Sequence, residues 1–478
     1  MKPFLRWLLF ILIGLVVLTA LFYAEENWRG KRAWENCKRE FAAKGIKLNW
    51  SAYIPPPVPD DQNIFKAPKM TAWFVRLPAM PNQWLTTNDF KESEEFSKRL
   101  QANKNTTATI KTEPAARDYL AWSDQFQPEF DLMREALKRP YARMDGDYSK
   151  PNEQPIPNFA VRNVAQVLAQ RAKCDLLLGQ PEKALQELTL MHDMRRLLEA
   201  APTGKPMTLV AAMFNVAVAG LYTDTVAEGL RQHTWQEPQL IVLQEQFKEI
   251  NLLPIAAAAF KMETVAPVNT FAAKPTELTF LYKVADLTSH AMTSSDKEIG
   301  SFWWCLKNPM YLLLKIAPRG WYYQNMANCA VMESKPLDGF NLEQDVVTPR
   351  IFDEASRNLK KSSVHGSPFK LLAAIAIPNF SKAEQTIAHN QSMVNEAQIA
   401  CALERYWLAH GEYPESLDVL VPQFIEKLPH DIIGGQPLHY RRTDGGKFLL
   451  YSVGWNETDD GGQDGGNDFT KGDWVWKN

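Results

Sequence analysis

The sequence predicts a mainly α-helical protein: an N-terminal transmembrane helix, an α-helical bundle or solenoid-like body, and a small α+β domain at the C-terminal end. Three observations lead there. Trp7 to Ala24 is eighteen residues without a charge, just long enough to cross a bilayer as a helix. Asn158 to about Ile250 keeps helical periodicity, interrupted only by turn residues. Beyond Gly411 that period gives way to two short strand-like runs separated by glycines. The expected divisions are 1–28 (membrane anchor), 29–150 (juxtamembrane helix and proline-rich region), 151–335 (helical domain), 336–370 (linker) and 371–478 (α+β domain).

Composition narrows the function. The chain has 478 residues, 45% hydrophobic and 23% charged, as in ordinary globular proteins, and is long enough for two or three cores. A net charge of −2 lacks the basic footprint that nucleic acid requires. The 5 cysteines (Cys37, Cys174, Cys305, Cys329, Cys401) are scattered, so they read as buried or idle thiols rather than a disulfide framework or metal-ligand pairs.

Lys2 and Arg6 precede the apolar run like the start of a signal sequence, but Phe22 and Tyr23 crowd the only small-residue end, so the run reads as an uncleaved anchor at residues 7–24. Orientation draws on opposed signals. Arg29, Lys31, Arg32, Lys38 and Arg39 after the span outnumber the two basic residues before it, which by itself places the body inside. The short signal-like start and the abutting Glu25 and Glu26 favour the outside, and that orientation is the one expected here.

A basic helix is expected over Arg29 to Lys44. Tyr53 to Asp60 holds four prolines, which fix φ and remove donors, so it is expected as an extended, exposed spacer. Asp145 to Asp147 reads as a turn. In the body, helices are expected at Asn158 to Leu178, Glu182 to Ala200, Thr208 to Leu230 and Glu237 to Ile250. The stretch Ala172 to Leu185, with Gly179 in the turn and Ala184 inward, resembles a tetratricopeptide helix pair, although any αα-hairpin needs a similar turn. Thr208 to Tyr222 is nearly all apolar and is expected as a buried core helix rather than a second span. Phe302 to Leu306, Tyr311 to Ile316 and Pro318 to Tyr323 are aromatic and apolar, and are expected to pack the bundle rather than lie in a headgroup layer.

In the C-terminal segment, Ala383, Ile387, Val394, Ala397, Cys401 and Leu408 form one apolar helical stripe, with Ile399, Leu403 and Tyr406 beside it. Gly411 ends the helix and Pro414 prevents its restart. Leu438 to Arg442 and Phe448 to Val453 read as strands around an Asp444 to Gly446 hairpin turn. The series runs from the apolar Leu371 to Phe380 through Ala402 to Tyr406, His410 to Pro414, Leu417 to Pro422 and Lys427 to Asp431. It ends in Leu450 to Gly454 and an Asp/Gly-rich loop, and it resembles a type IV pilin or, more closely, a type II secretion major pseudopilin. About a quarter of the chain carries the resemblance. It implies an envelope module that makes protein contacts, and a calcium ion in the loop. Asp459, Asp460, Asp464 and Asp468 would supply the oxygens that such a hard cation needs, with Asp473 more distant. The spacing is not that of an EF-hand, and an acidic loop without metal reads equally from the residues. His430 and His439 are too isolated for zinc. The segment departs from the family in its short apolar run, Leu371 to Ile377, and in lacking the glutamate used in filaments, so pilin-type processing and polymerisation are not expected.

The sequence holds no metalloprotease, phosphate-loop, nucleophile-elbow or paired-cysteine motif. His192–Asp193 and His430–Asp431 would serve in a triad only with a nucleophile that the sequence does not place. The expectation is a non-catalytic, single-pass protein of the inner membrane with its bulk on the periplasmic side. The alternatives are an α-solenoid-like scaffold for a partner protein or peptide and, behind it, an envelope hydrolase.

Overall fold

The computed structural model describes residues 3–76, 88–102, 110–149, 151, 154–199, 208–273, 317–364, 367, 369–370 and 380–477. Helices dominate these residues, with a few small sheets. They divide into two compact units: Met1–Ala52, Glu263–Pro336 and Asp353–Asn379 in one, and Tyr53–Met262, Leu337–Phe352 and Phe380–Asn478 in the other. The expected start of the C-terminal helix, Leu371 to Asn379 with Pro378, and the aromatic runs at Phe302 to Leu306 and Tyr311 to Ile316 lie outside the described residues.

In the first unit the expected anchor and basic helix are one helix, α1 (Pro3–Ala43, 41 residues). At 1.5 Å per residue it is about 60 Å long, roughly twice a hydrocarbon core. Its two halves differ sharply. Large apolar side chains from Phe4 to Phe22 are exposed, whereas Glu26, Gly30, Trp34, Cys37 and Phe41 form a buried stripe at helical spacing. That stripe packs on the helix Arg319–Ser334, numbered α12 below because α2 to α11 precede it. Gly30 and Gly320 allow the approach, since a Cβ added to either would overlap the main chain of the opposite helix.

The second unit is built around α6 (Ala160–Leu177), α7 (Pro181–Met194), α9 (Leu209–Arg231) and α10 (Glu237–Lys248). The first two make the expected hairpin, with Gly179 at φ 68 in the turn. The second helix stops short of the predicted Ala200: a break at Arg195 precedes a single turn, α8 (Arg196–Glu199). Helix α9 is long and apolar enough to cross a membrane, yet 67% of its apolar window is buried in the protein, as in a core helix. Thr208 caps it by accepting from the Ala211 amide at 3.2 Å. Shorter helices α2 (Met70–Phe74), α3 (Asn88–Gln101) and α4 (Glu113–Ser123) cover α6, α5 (Gln127–Ala136) packs on α7, and Ile156–Pro157 (β2) pairs with Val75–Arg76 (β1). Across this layer the buried Arg171 donates to Glu187 (2.8 Å), Ser123 (2.7 Å) and Asp124 (2.9 Å), so the charge brought inside is fully paired. The chain bends at Asp145 and Gly146 as expected, and just beyond it Asp147 accepts from the Ser149 amide at 2.7 Å.

Helix α11 (Leu252–Ala273) and helix α13 (Pro349–Val364) each contribute residues to both units. Phe340–Asn341 (β3) pairs with Val346–Val347 (β4). The C-terminal segment then begins its described part with α14 (Ser381–His410), ended as expected by Gly411 at φ 80. His439–Thr443 (β5) and Lys447–Ser452 (β6) form the hairpin around Gly445 and Gly446, both at positive φ. A third strand that sequence reading missed, Trp474–Val475 (β7), pairs with β6.

Helix α14 is buried on both sides: it packs on β6 and β7, and also on α9 and α10. Ile387, Val394, Ala397, Cys401, Ile399 and Leu403 are all in the core, whereas Leu408, expected in the same stripe, is exposed in the last turn. The hydrophobic core is continuous from the body helices to Leu450, Trp455, Trp474 and Trp476. The C-terminal segment and the body are one packed unit.

Candidate functional site

The acidic loop between β6 and β7 is ordered by its own side chains. Asp473, fully buried, accepts from the amides of Asp460 (3.1 Å) and Gly462 (2.6 Å) and thereby fixes the loop's return. Asp459 accepts from the Gly461 amide (2.9 Å) and the Tyr451 hydroxyl (3.0 Å), and these bonds hold its carboxyl below the usual range. Asp460 accepts from Asn456 at 2.8 Å. Asp464 meets the Gly466 amide (2.8 Å) and the Lys477 ammonium (3.0 Å). Asp468 is pushed down to about 2 by the Thr470 hydroxyl and then by Lys471, whose ammonium is 3.0 Å away.

Asp459, Asp460, Asp464 and Asp468 are thus brought onto one loop, but each is turned to a different protein donor. Among the described residues no group of three or more His, Cys, Asp or Glu side chains is placed to hold a metal ion. Two of the four carboxylates, Asp468 and Asp464, lie 3.0 Å from the ammoniums of Lys471 and Lys477, which a cation needing six to eight oxygens would have to displace. The loop is seated on α14 instead: Phe469 stacks on His389 at 4.1 Å, and Trp474 meets the same ring edge-on at 5.4 Å. Burial pushes the His389 imidazole down to about 4.

The residues considered for a triad are not assembled into one. His192 has Asp193 at 3.3 Å and Glu249 at 3.6 Å. His430 reaches the Asp345 carbonyl at 3.1 Å, while Asp431 turns away and accepts from Ile433 N–H, Ser452 Oγ and Val453 N–H. Ser452 is fully buried, out of reach of substrate.

Two features were not visible in the sequence. The first is a groove of about 380 Å³ lined by α10, the start of α11, α14 and the segment Pro422–Ile432. Its polar groups mostly bind one another. Arg405 donates to Glu237 (2.9 Å), Gln244 (2.7 Å) and the Phe424 carbonyl (2.7 Å), and Gln391 accepts from Leu252 N–H at 2.7 Å. Such a surface has the amides and apolar floor to receive a chain of residues. The second is His233, whose Nδ1 lies 2.8 Å from Glu404, a buried carboxyl that also accepts from Tyr413 at 3.1 Å. Its ring stacks on Trp407 at 4.3 Å. This fixes a half-exposed imidazole, yet among the described residues no hydroxyl or thiol hydrogen-bonds to it, so the arrangement orients a base without presenting a nucleophile. No spacing signal links His233 to a carboxylate 171 residues away.

Comparison with protein families, with curated proteins and with solved structures finds no match to this chain.

Proposed function

We infer that this chain is a non-catalytic, single-pass protein of the inner membrane whose C-terminal segment, resembling a pseudopilin, makes protein contacts on the periplasmic side, in secretion or surface assembly. The observation that carries this reading is the division of α1: an apolar half whose described large apolar side chains, Phe4 and Trp7 to Phe22, are exposed, and a second half committed to packing on α12. An exposed apolar run of that length is costly in water and favourable in lipid. Helix α14 followed by an antiparallel sheet with an acidic loop is the order that the resemblance implies. Since α14 is covered on both sides, contacts would be made by the β5 edge and the acidic loop, not by helix-to-helix polymerisation.

The groove beside α10 favours a second reading, a scaffold that receives a partner segment there. Photo-crosslinkers placed in the full-length chain at Arg441 and Asn456, or at Ile241 and Gln423, separate the two. Crosslinks from the first pair to an envelope protein support the contact role of the C-terminal segment. Crosslinks confined to the second pair replace it with the scaffold.

A further inference from the structure

A second concavity lies on the far side of the body helices, where α4 packs against α6. Its volume is about 200 Å³, below the roughly 300–1,000 Å³ of sites for drug-sized ligands. Its floor is a row of polar side chains on α6: Asn163, Gln166, Gln170 and Lys173, at intervals of three and four residues and therefore on one helix face. Tyr119 and Trp122 of α4 form the wall, their ring centroids 5.3 Å apart and tilted by 52°.

Two details separate this pocket from ordinary packing. Asn163 is only 9% exposed and its Nδ2, itself closed off from solvent, has no hydrogen-bond partner, so a ring hydroxyl meets it only once the amide turns toward the pocket. Gln170 Nε2 reaches only the Cys174 sulfur, at 3.9 Å, a weak acceptor. Each amide offers two donors and an acceptor, so the floor presents both kinds of group at close spacing. The field of Lys173 reaches Asp224 and Glu228 on α9, and the rest of the pocket lining is neutral.

We propose that this pocket binds a neutral, hydroxyl-rich ring, of the pyranose class, with its C–H face on Trp122 and its hydroxyls on the amides of Asn163, Gln166 and Gln170. The ring's two chemical faces match the two walls. Hydroxyls both donate and accept, as the amides do, and a flat aromatic surface takes the apolar face without a charge. The volume admits one ring rather than a long glycan, so any polymer would enter by its end.

The test uses the full-length chain in lipid nanodiscs, free of sugar-headed detergent, with glucose and N-acetylglucosamine as probes in saturation-transfer NMR and titration. Saturable binding of one of them is expected, weakened at least about tenfold by Trp122→Ala and by Gln170→Leu. Both variants are to retain the wild-type melting temperature; should Trp122→Ala lower it, Gln166→Leu, at a half-exposed position, gives the same reading. Absence of saturable binding to the wild-type chain overturns the proposal. So does binding that folded variants leave unchanged, or tighter binding of N-acetylalaninamide than of either pyranose.

Discussion

Glu396 and Asp431 are two buried carboxyls within each other's field, and their surroundings are opposite. Asp431 accepts three hydrogen bonds, whereas neither oxygen of the fully buried Glu396 makes a well-formed one, the Ser452 main chain acting on it only weakly. Burial first, and then the charge of Asp431, raises Glu396 well above the ordinary carboxylate range, with the Ser452 main chain offsetting only part of this. Glu396 is therefore the neutral member of the pair.

The pH consequence has a definite sign. The folded chain holds a proton on Glu396 that the unfolded chain releases above about 4.5, so this position loses stability as pH rises from there through the raised folded value. Replacing Glu396 by Gln removes that proton from the balance. Thermal melting at pH 8 is expected to favour Glu396→Gln over wild type, by about 1.4 kcal/mol for each pH unit between the unfolded and the raised folded value that lies below pH 8, with the difference vanishing toward pH 4. Equal melting at both pH values would contradict the assignment.

His389 acts in the other direction. Its folded value of about 4 lies below the ordinary 6.5, so the unfolded chain takes up a proton first and stability falls as pH drops from 6.5 toward 4. That gap amounts to roughly 3 kcal/mol. His389→Phe keeps a flat ring against Phe469 and is expected to remove this acid sensitivity, read as a variant-minus-wild-type melting difference that grows below pH 6.5.

The acidic loop is predicted to depend on Asp473 and not on calcium. Asp473→Ala leaves the amides of Asp460 and Gly462 without their acceptor and is expected to cost roughly 1–3 kcal/mol. Melting of the full chain in millimolar calcium and in chelator is expected to coincide, because a cation would first have to displace Lys471 and Lys477 from Asp468 and Asp464. A calcium-dependent rise in melting temperature that Asp460→Ala and Asp464→Ala abolish would restore the cation reading that the pseudopilin resemblance implies.

Gly30 and Gly320 give a prediction for the first unit. A methyl group at either position strikes main chain, which cannot move aside like a side-chain tip, so Gly320→Ala is expected to loosen the α1–α12 pair by roughly 1–3 kcal/mol and to speed proteolysis near α12. Gly14→Ala, with no neighbour within 4 Å, is the matched control and should leave the protease pattern unchanged.

What the sequence made legible follows from local physics. The boundaries of α6, α9 and α10, the start of α7, the Gly179 turn, the Gly411 stop and the β5–β6 hairpin all rest on near-neighbour signals: period, cap and glycine. The third strand escaped because β7 is two residues long and is defined by its partner β6, across the whole acidic loop. Glu404 with His233, Gln391 with Leu252, and Asp473 with its loop amides escaped for a related reason. Each is a polar contact whose meaning depends on burial, and a buried carboxylate in sequence looks like any surface one. The four loop aspartates show the converse. Their clustering was plain, but where each oxygen points is decided by donors such as Lys477 and Tyr451, which no spacing rule assigns.

On the proposed reading, α1 holds the chain in a bilayer through its exposed apolar half. Alkaline carbonate extraction of membranes containing the full-length protein tests it most directly, beside a variant in which Leu12, Leu15 and Val16 are replaced by Asp. The account predicts that the full-length chain stays in the pelleted membranes and is released only by detergent, while the variant appears in the soluble fraction with α12 still protected from protease. Full-length protein released by carbonate alone would contradict the account.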